Sequence, residues 1–277
     1  MNYYTITPPA ILAEYIQFFW VLEGTATTEM PYIHRIMAES SPEWIFYCKG
    51  RFELHGTSPG QQTISPSVIS GSVQNFKIVY TSTDFCLFGV CLFPYAIPPI
   101  FGVASHTLTD QSADTTTLLG HEGKMLEQSV FEVHSHSQRA TLISQYILKR
   151  LSNTRDENRA VFYSIKQMLF SPSALPISAI AESSFLSRRQ FERKFYHYTG
   201  NSPKQFQRIA RFNMVIKGFD RQAKSLSNIA HDCGYYDQSH FIHDFRLFSG
   251  YNPKNFFKHQ KDATDYRAFE EFSLKGE

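Results

Sequence analysis

The 277-residue chain lacks the features that identify membrane, exported and disulfide-rich proteins. No apolar run approaches the roughly 20 residues that a membrane-spanning helix needs. The first segment, MNYYTITPPAILAEYIQFFW, has no basic stretch followed by an apolar block, so we expect no export signal. Four cysteines occur without CxxC spacing, which favours reduced thiols. With 42% hydrophobic and 19% charged residues, the chain is predicted to be globular, cytoplasmic and independent of membranes.

The net charge of +2 conceals an uneven distribution of charge along the chain. Residues 176–260 contain 13 lysines and arginines against 6 acidic residues. Residues 1–175 contain 11 basic residues against 14 acidic ones. A basic block behind a slightly acidic front half predicts that one domain contacts nucleic acid.

Two kinds of local pattern meet near residue 110. Before it, short aromatic and β-branched runs such as EWIFYCKGRFEL and FCLFGVCLF stand between Gly, Pro and Ser clusters, which is typical of a β-barrel or sandwich. After it, DTTTLLGHEGKMLEQSVF and SQRATLISQYILKRL have apolar residues at helical spacing. The polar segment SNTRDENR indicates a linker, and short helical segments follow it.

These patterns predict an α+β fold of two domains. Residues 1–152 would form the N-terminal domain, a β-barrel or sandwich-like unit over 1–110 with flanking helices over 111–152. Residues 153–260 would form an all-α C-terminal domain, and residues 261–277 a tail.

The helical part contains a duplicated unit. Shifting the sequence by 50 positions places Phe, Gly, Pro and Lys residues of one copy on identical residues of the other. The matching pairs are Phe191 and Phe241, Phe195 and Phe245, Gly200 and Gly250, Pro203 and Pro253, Lys204 and Lys254, and Phe206 and Phe256. Such agreement at a single offset indicates a repeated supersecondary unit.

Each copy has the sequence pattern of a helix-turn-helix. A short helix with a small residue near its middle, Ala181 or Ala230, leads into a tight turn. The second helix begins after a capping residue, Ser187 or Asp237, and its phenylalanines should face the core. A Gly ends this helix and a Pro starts the next. The pattern therefore predicts two helix-turn-helix units with polar outer faces.

The outer faces carry side chains suited to DNA bases, since Arg pairs with guanine, Gln with adenine, and Ile contacts the thymine methyl. These residues are Arg189, Glu192, Arg193 and Tyr196 in the first copy, and Gln238, Ser239, Ile242, His243 and Arg246 in the second. His240 and His243, with Asp237 in reach, are also spaced for a transition metal. The first copy has Gln190 and Arg193 there, so we expect no metal, and we expect His240 to pack or to contact the backbone.

The repeat resembles the AraC/XylS family of bacterial transcription regulators. The second copy, IAHDCGYYDQSHFIHDFRLFSGYNPKNF, is similar to the family signature of Ala, Gly-aromatic, Ser-x-Phe, Phe-Arg/Lys, Gly-x-x-Pro and a final aromatic. The first copy, IAESSFLSRRQFERKFYHYTGNSPKQF, is similar to the corresponding first motif, Ser-x-Arg-x-Phe-x-Arg-x-Phe. Arg211 falls where the family often has Arg in the helix that joins the motifs.

The resemblance implies that both recognition helices enter successive major grooves on one face of double-stranded DNA. Bases would be contacted by Arg189, Glu192, Arg193, Gln238, Ser239 and His243. Phosphates would be contacted by Arg188, Lys194 and Arg246. His243 stands where many members have Arg, so we expect weaker, pH-sensitive readout by the second helix and a dominant first helix. Phe185 stands where the second copy has Gly234, so this turn either avoids positive φ or is strained.

The front half resembles the family less closely, through its order of elements. Its similarity to β-barrel effector domains with a dimerising helical segment implies a sensor domain, a small-molecule effector and a homodimer. It also implies contact with RNA polymerase if the protein is an activator. No ligand-binding residue is identified, because aromatic residues of this kind more often form ordinary core. The aromatic residues considered are Trp20, Trp44, Tyr47 and Tyr95.

Two alternatives remain at this point, an enzyme of cupin or DNA-repair type fused to a helix-turn-helix domain, and a nucleoid-type binder without sequence preference. The sequence has no Gly-rich phosphate loop, no GxSxG motif and no convincing catalytic Cys–His set. His134 and His136 form an HxH without a further Glu or His at cupin-like spacing. We therefore expect no catalytic residue, no metal and no cofactor. The ratio of specific to non-specific affinity would separate a regulator from a nucleoid-type binder.

Overall fold

A computed structural model of the chain describes residues 1–55, 62–152, 158–171, 176–218 and 226–258. Within them, a β-rich N-terminal domain with helices precedes an all-helical C-terminal domain, which confirms the predicted α+β class. The predicted boundary between residues 152 and 153 borders a segment outside this range, and the predicted tail 261–277 also lies outside it. Both therefore stay predictions. No helix in the described ranges is long and apolar enough to cross a bilayer.

Antiparallel strands in two sheets form the front of the N-terminal domain. The strands are β1 (Asn2–Ile6), β2 (Ile16–Gly24), β3 (Tyr32–Ile36), β4 (Glu43–Lys49), β5 (Glu53–His55), β6 (Gln62–Thr63), β7 (Ser67–Ser70), β8 (Lys77–Thr81), β9 (Phe85–Leu92) and β10 (Ser112–Asp114). The larger sheet has the order β1-β2-β9-β4-β7-β10, and the smaller one has the order β3-β8-β5-β6. The sheets do not close on each other, so the predicted barrel or sandwich is an open sandwich.

Strands β4 and β9 run through the middle of the larger sheet, and their side chains alternate between two apolar layers. One layer lies under the helices and contains Trp44, Phe46, Phe88 and Val90. The other lies between the sheets and contains Ile45, Tyr47, Leu87 and Cys91. The covering helices are α1 (Ile97–Phe101), α2 (Thr115–Glu132) and α3 (His136–Leu151).

The C-terminal domain contains the two predicted helix-turn-helix units. Its helices are α4 (Arg159–Phe170), α5 (Ile177–Ser183), α6 (Arg188–Thr199), α7 (Pro203–Gly218), α8 (Leu226–Asp232), α9 (Gln238–Ser249) and α10 (Pro253–Lys258). Helices α5 and α6 form the first unit, α8 and α9 form the second, and α7 joins them. Ala181 and Ala230 lie within α5 and α8, as predicted, and both are buried. Pro203 and Pro253 begin α7 and α10, which is also as predicted.

The front domain contributes side chains to the core of each helix-turn-helix unit. Phe93 and Tyr95 pack into the core of the first unit, where the Tyr95 ring stacks on Phe162 of α4 with a centroid distance of 4.3 Å. Met37 and Ala38 pack into the core of the second unit. The two domains are therefore in direct apolar contact, although the sequence suggests a simple linker between them.

Candidate nucleic-acid interface

Helix α6 begins with a complete capping box. The Ser187 hydroxyl accepts a hydrogen bond from the Gln190 backbone N–H, and Gln190 Oε1 accepts one from the Ser187 backbone N–H at 3.0 Å. Phe191 and Phe195 are fully buried, as predicted. Gly200 ends the helix in the left-handed conformation, with φ of 71°. These residues hold one face of α6 in the core and leave the opposite face open.

Helix α9 is built in the same way with a different cap. Asp237 Oδ1 accepts a hydrogen bond from the His240 backbone N–H at 2.7 Å, which confirms the predicted capping role. Phe241 and Phe245 are fully buried, and Gly250 ends the helix with φ of 74°. The two recognition helices therefore have the same buried face: a side-chain cap, two core phenylalanines and a terminal glycine.

Most of the side chains predicted to contact DNA lie on the exposed outer faces. The exposed residues are Arg188, Arg189 and Arg193 on α6, and Gln238, Ser239, His243 and Arg246 on α9. Glu192 is half-buried and accepts a hydrogen bond from Arg188 Nε at 3.0 Å. Gln238 Oε1 accepts one from the Ser227 hydroxyl at 3.0 Å. The structure thus collects eight of the nine predicted residues on two outward faces.

Lys194 is the exception. It is half-buried on the side of α6 that faces α4, and its Nζ donates to Asn158 Oδ1 at 2.6 Å. A phosphate contact by Lys194 would have to replace this bond.

Asp244 occupies in α9 the position that Lys194 has in α6. Its carboxylate is fully buried and accepts hydrogen bonds from Arg208 Nη2 at 2.6 Å and Nε at 3.3 Å. This pairing raises the pKa of Arg208. His240 Nε2 and His243 Nδ1 lie 3.6 and 3.4 Å from the same carboxylate. Because both oxygens of Asp244 are bound to a guanidinium, the cluster joins α7 to α9 and offers no uncommitted carboxylate to a metal.

The turns of the two units each contain a residue with positive φ, but the residue type differs. Gly234 has φ of 74°, and Phe185 has φ of 55° although it carries a bulky side chain. The structure therefore realises the second of the two expected outcomes, a strained turn. The Phe185 ring is 95% exposed, so no packing offsets the strain.

The C-terminal ends of both recognition helices rest on the front domain, which the sequence does not indicate. The carbonyl of Gly200 accepts from the Thr109 hydroxyl at 3.0 Å, and the carbonyl of Ser249 accepts from Arg35 Nη1 at 3.1 Å. The backbone N–H of Ala38 also donates to the carbonyl of Phe248 at 2.9 Å. On α6, the Tyr196 ring stacks on His106, with a centroid distance of 4.9 Å. We call the C-terminal ends of α6, at Gly200, and of α9, at Ser249 and Gly250, the docking corners. The two docking corners thus contact different parts of the front domain.

A cavity of about 350 Å³ lies between the two sheets of the front domain. Trp20 and Tyr47 line it, whereas Trp44 and Tyr95 are fully buried core residues. Trp20 Nε1 donates to Glu43 Oε1 at 3.0 Å. Burial, and secondarily the charge of Glu39, raise the pKa of Glu43 to about 7. A buried carboxyl with a raised pKa in a cavity indicates a candidate ligand site, which no sequence motif had predicted.

A second polar cluster lies where β2 ends and β9 begins in the larger sheet, among the residues that the structure describes. Glu23, Cys86 and His136 bring their donor atoms within 4.8 Å of one another, close enough to share a metal ion. Arg139 Nη1 lies 2.9 Å from His136 Nδ1, and because a guanidinium only donates, Nδ1 accepts and Nε2 carries the proton toward Glu23. A metal at Nε2 would require the other tautomer. The geometry therefore fits a hydrogen-bonded network better than a metal site.

Two helix-turn-helix units joined by a single helix define the class of the C-terminal domain. Residues 165–259 match a family model described as "Helix-turn-helix domain". This match confirms the predicted resemblance of this part of the chain to AraC/XylS regulators. Residues 4–114 match a second model, described as "Domain of unknown function (DUF6597)".

Three known proteins illustrate these similarities. YidL of Escherichia coli, an uncharacterized HTH-type transcriptional regulator, is 30% identical over 84 residues, which are 29% of this chain and 28% of YidL. The HTH-type transcriptional regulator ArgR of Pseudomonas aeruginosa is 32% identical over 80 residues, 29% of this chain and 24% of that protein. The matches thus span about a quarter of each relative. The crystal structure of ToxT from Vibrio cholerae aligns over 88% of this chain and 99% of that chain, with 10% identity and a TM-score of 0.48.

Proposed function

We propose that this protein is a sequence-specific DNA-binding regulator of transcription that reads two successive major-groove segments with α6 and α9. The observation that carries the proposal is the duplicated unit, in which each recognition helix has one phenylalanine face in the core and one polar face open to solvent. The curated relatives, which are HTH-type transcriptional regulators, support the same function. We assign no catalytic activity to the protein.

The roles of individual residues follow from chemistry and exposure. Arg189 and Arg193 have guanidinium groups suited to guanine, and Glu192 is suited to the amino group of cytosine. On α9, Gln238, Ser239 and His243 would contact bases. Arg188 and Arg246 would bind phosphates, which set the register of the protein on DNA. Lys194 would do so only after leaving Asn158.

The first recognition helix is proposed to dominate sequence choice. Helix α6 carries Arg188, Arg189 and Arg193, whereas the only arginine on α9 is Arg246. Bidentate arginine contacts to guanine are the commonest specific contacts in the major groove. His243, which takes the place of Arg193 in the second unit, makes fewer hydrogen bonds.

The front domain is proposed to sense a small molecule in the cavity between its sheets. The support is the path from the cavity to the second unit. Arg35 lines the cavity and donates to the carbonyl of Ser249, and Ala38 donates to that of Phe248. A ligand that shifts this segment would therefore move α9. We extend the proposal to a homodimer formed through the front domain or its helices α2 and α3, and to contact with RNA polymerase if the protein activates transcription.

Fluorescence anisotropy of the full chain tests the proposal. The full chain is needed because front-domain residues complete the cores of both units. The probes are DNA from upstream of the protein's own gene and a scrambled duplex of equal composition, each across a salt series. We expect the native DNA to bind at least about 10³-fold more tightly, with a preference that survives rising salt. Equal binding to both duplexes that disappears with salt would contradict sequence-specific reading.

Two variants make this experiment specific to the interface. Arg189→Ala should reduce the preference for native over scrambled DNA, because a base contact is lost. Lys124→Ala removes an equal charge from an exposed position on α2, away from both recognition helices, and should leave the preference unchanged. A matching loss in both variants would show that only net charge matters.

A further inference from the structure

The cavity between the sheets has walls of aromatic and aliphatic side chains with a few polar ones among them. Its volume of about 350 Å³ suits a small organic molecule. The aromatic rings that line it come from both sheets and from the loop after β4. They belong to Tyr3, Phe18, Trp20, Tyr32, Tyr47 and Phe52. Such walls favour a flat or apolar body, and the faces of aromatic rings also attract cations.

Two carboxylates, Glu39 and Glu43, also line the cavity. Glu39 Oε1 accepts hydrogen bonds from the backbone N–H groups of Ser40 and Ser41 at 2.8 and 3.1 Å. Glu43 Oε1 accepts one from Trp20 Nε1. Within the described part of the chain, neither Oε2 atom has a hydrogen-bond donor and neither carboxylate forms an ion pair. Each carboxylate is therefore oriented by the protein through one oxygen and keeps the other available.

Among the described residues, Arg35 forms no ion pair with either glutamate, although its buried Nε has no hydrogen-bond partner. Arg35 donates to the carbonyl of Ser249, and its guanidinium lies 3.9 Å from the ring centroid of Tyr251. His34 Nδ1 lies 3.4 Å from the Tyr32 hydroxyl. Two partly buried carboxylates without a cation are costly in an apolar setting, so a positive ligand would relieve their desolvation and mutual repulsion.

On the basis of the effector-sensing function proposed above, we infer that the cavity binds a small organic cation. Its charged nitrogen lies between Glu39 and Glu43, and its apolar body lies against the aromatic rings. A protonated amine on an aromatic or aliphatic body of modest size has this chemistry. An anionic ligand would face the like charge of Glu39 and, above about pH 7, that of Glu43, so the same geometry disfavours it.

Binding should strengthen as the pH rises. The carboxylate form of Glu43 binds a cation and the protonated form does not, and its pKa in the empty protein is about 7. An amine that stays charged throughout should bind about tenfold more tightly at pH 8 than at pH 6, because the ionised fraction of Glu43 rises by that factor. Besides Tyr3, the titratable or charged groups that face Glu43 are Tyr32, His34, Arg35, Glu39, Tyr47 and Cys91.

Three probes of similar shape and different charge test the inference on the full chain: phenethylamine, 2-phenylethanol and phenylacetate. Binding is followed by tryptophan fluorescence, to which the cavity-lining Trp20 contributes, and by thermal shift. We expect phenethylamine to bind at least about tenfold more tightly than the alcohol and phenylacetate not to bind. Equal or tighter binding of the alcohol or phenylacetate would overturn the inference, and so would failure of all three up to their solubility limits.

The variant Glu43→Gln keeps the size of the side chain and the acceptor for Trp20. It should weaken phenethylamine binding about tenfold at pH 8 and abolish the pH dependence, while leaving 2-phenylethanol unaffected. Glu29→Gln, at an exposed position, is the matched control and should change nothing. A pH dependence that persists in Glu43→Gln would overturn the role of Glu43.

DNA discrimination measured without any probe keeps the two proposals separate. Normal discrimination in the wild type and in Glu43→Gln, together with no preference for the amine, would reject only the cation site. Loss of discrimination in the wild type would reject the proposed regulator, whatever the cavity binds.

Discussion

The two helix-turn-helix units are alike where the fold constrains them and different where they are attached and exposed. Both have buried phenylalanines, a left-handed glycine at the helix end and a proline that starts the next helix. Lys194 of the first unit corresponds to Asp244 of the second, and each binds a partner on another helix or its cap. Arg193 corresponds to His243 on the outer face. The repeated residues thus define the unit, and the altered ones decide how each unit is anchored and what it contacts.

Of the changes considered, loss of the Arg208–Asp244 pair in the second unit should lower the unfolding free energy most. Arg208→Met keeps an unbranched stem and leaves the fully buried Asp244 without its cation, which typically costs about 3–5 kcal/mol of unfolding free energy. Urea unfolding at neutral pH measures this loss. The corresponding change in the first unit, Lys194→Met, removes one hydrogen bond from a half-buried ammonium and should cost about 1 kcal/mol. Equal losses would show that both inner positions have the same role.

The glycines at the two docking corners should also differ in how much stability is lost when each is replaced by Ala. An added Cβ at Gly200 would lie 2.2 Å from Thr109 Oγ1 and 3.1 Å from the Ser105 carbonyl oxygen. At Gly250 it would meet the movable side-chain ends of Arg35 and Phe76, at 2.5 and 2.7 Å. Positive φ adds about 1–2 kcal/mol in both cases, and overpacking adds about 1–3 kcal/mol.

We therefore expect Gly200→Ala to lower the unfolding free energy by about 2–4 kcal/mol and Gly250→Ala by about 1–2 kcal/mol. Thermal unfolding of the full chain compares them. A larger loss for Gly250→Ala would mean that the contact with Arg35 is the more rigid of the two corners.

Base readout should distinguish the outer faces. Arg193→Ala should reduce discrimination between native and scrambled DNA by about 1–3 kcal/mol, and His243→Ala by less. Arg188→Ala, as a phosphate contact, should weaken binding to both duplexes and reduce the salt slope by about 1. Competition anisotropy at constant salt measures all three. If His243→Ala removed discrimination and Arg193→Ala left it intact, the dominance of the first helix would be wrong.

The smallest effect is expected at the turns. Phe185→Asn should raise the unfolding free energy by about 0.5–1 kcal/mol, because Asn tolerates positive φ and the exposed ring loses no packing. Gly234→Ala should lower it by about 1 kcal/mol for the converse reason. The two melting temperatures should shift in opposite directions. A loss of stability in Phe185→Asn would indicate that the Phe185 ring makes a stabilising contact.

Local signals in the sequence were sufficient to predict the caps and ends of the recognition helices. Ser187, Asp237, Gly200 and Gly250 act within one or two helical turns of their own position, so their spacing alone predicts the caps and ends that the structure shows. The position of Lys194 was harder to predict. Its half-buried environment depends on Asn158, 36 residues away, which no local period reveals.

The front domain shows why long-range features escaped prediction. Glu43 and Trp20 are 23 residues apart and meet through a hydrogen bond across the sheet, and Glu23 and Cys86 pair only through the register of β2 and β9. The contact of Arg35 with Ser249 spans 214 residues. Strand pairing and domain docking place these groups together, so neither motif nor periodicity in a single sequence announces them. The DNA contacts of the individual side chains stay predictions.

The support of both docking corners by one front domain has a consequence for the operator. The distance between α6 and α9 is constrained by α7 and, independently, by the contacts of Gly200 and Ser249 with the front domain. One extra base pair between the two recognition segments would shift the second by about 3.4 Å and rotate it by roughly a tenth of a turn. Because both recognition helices are held by α7 and by the front domain, they have little freedom to follow that change. The operators of this protein should therefore share a fixed spacing even where their bases differ.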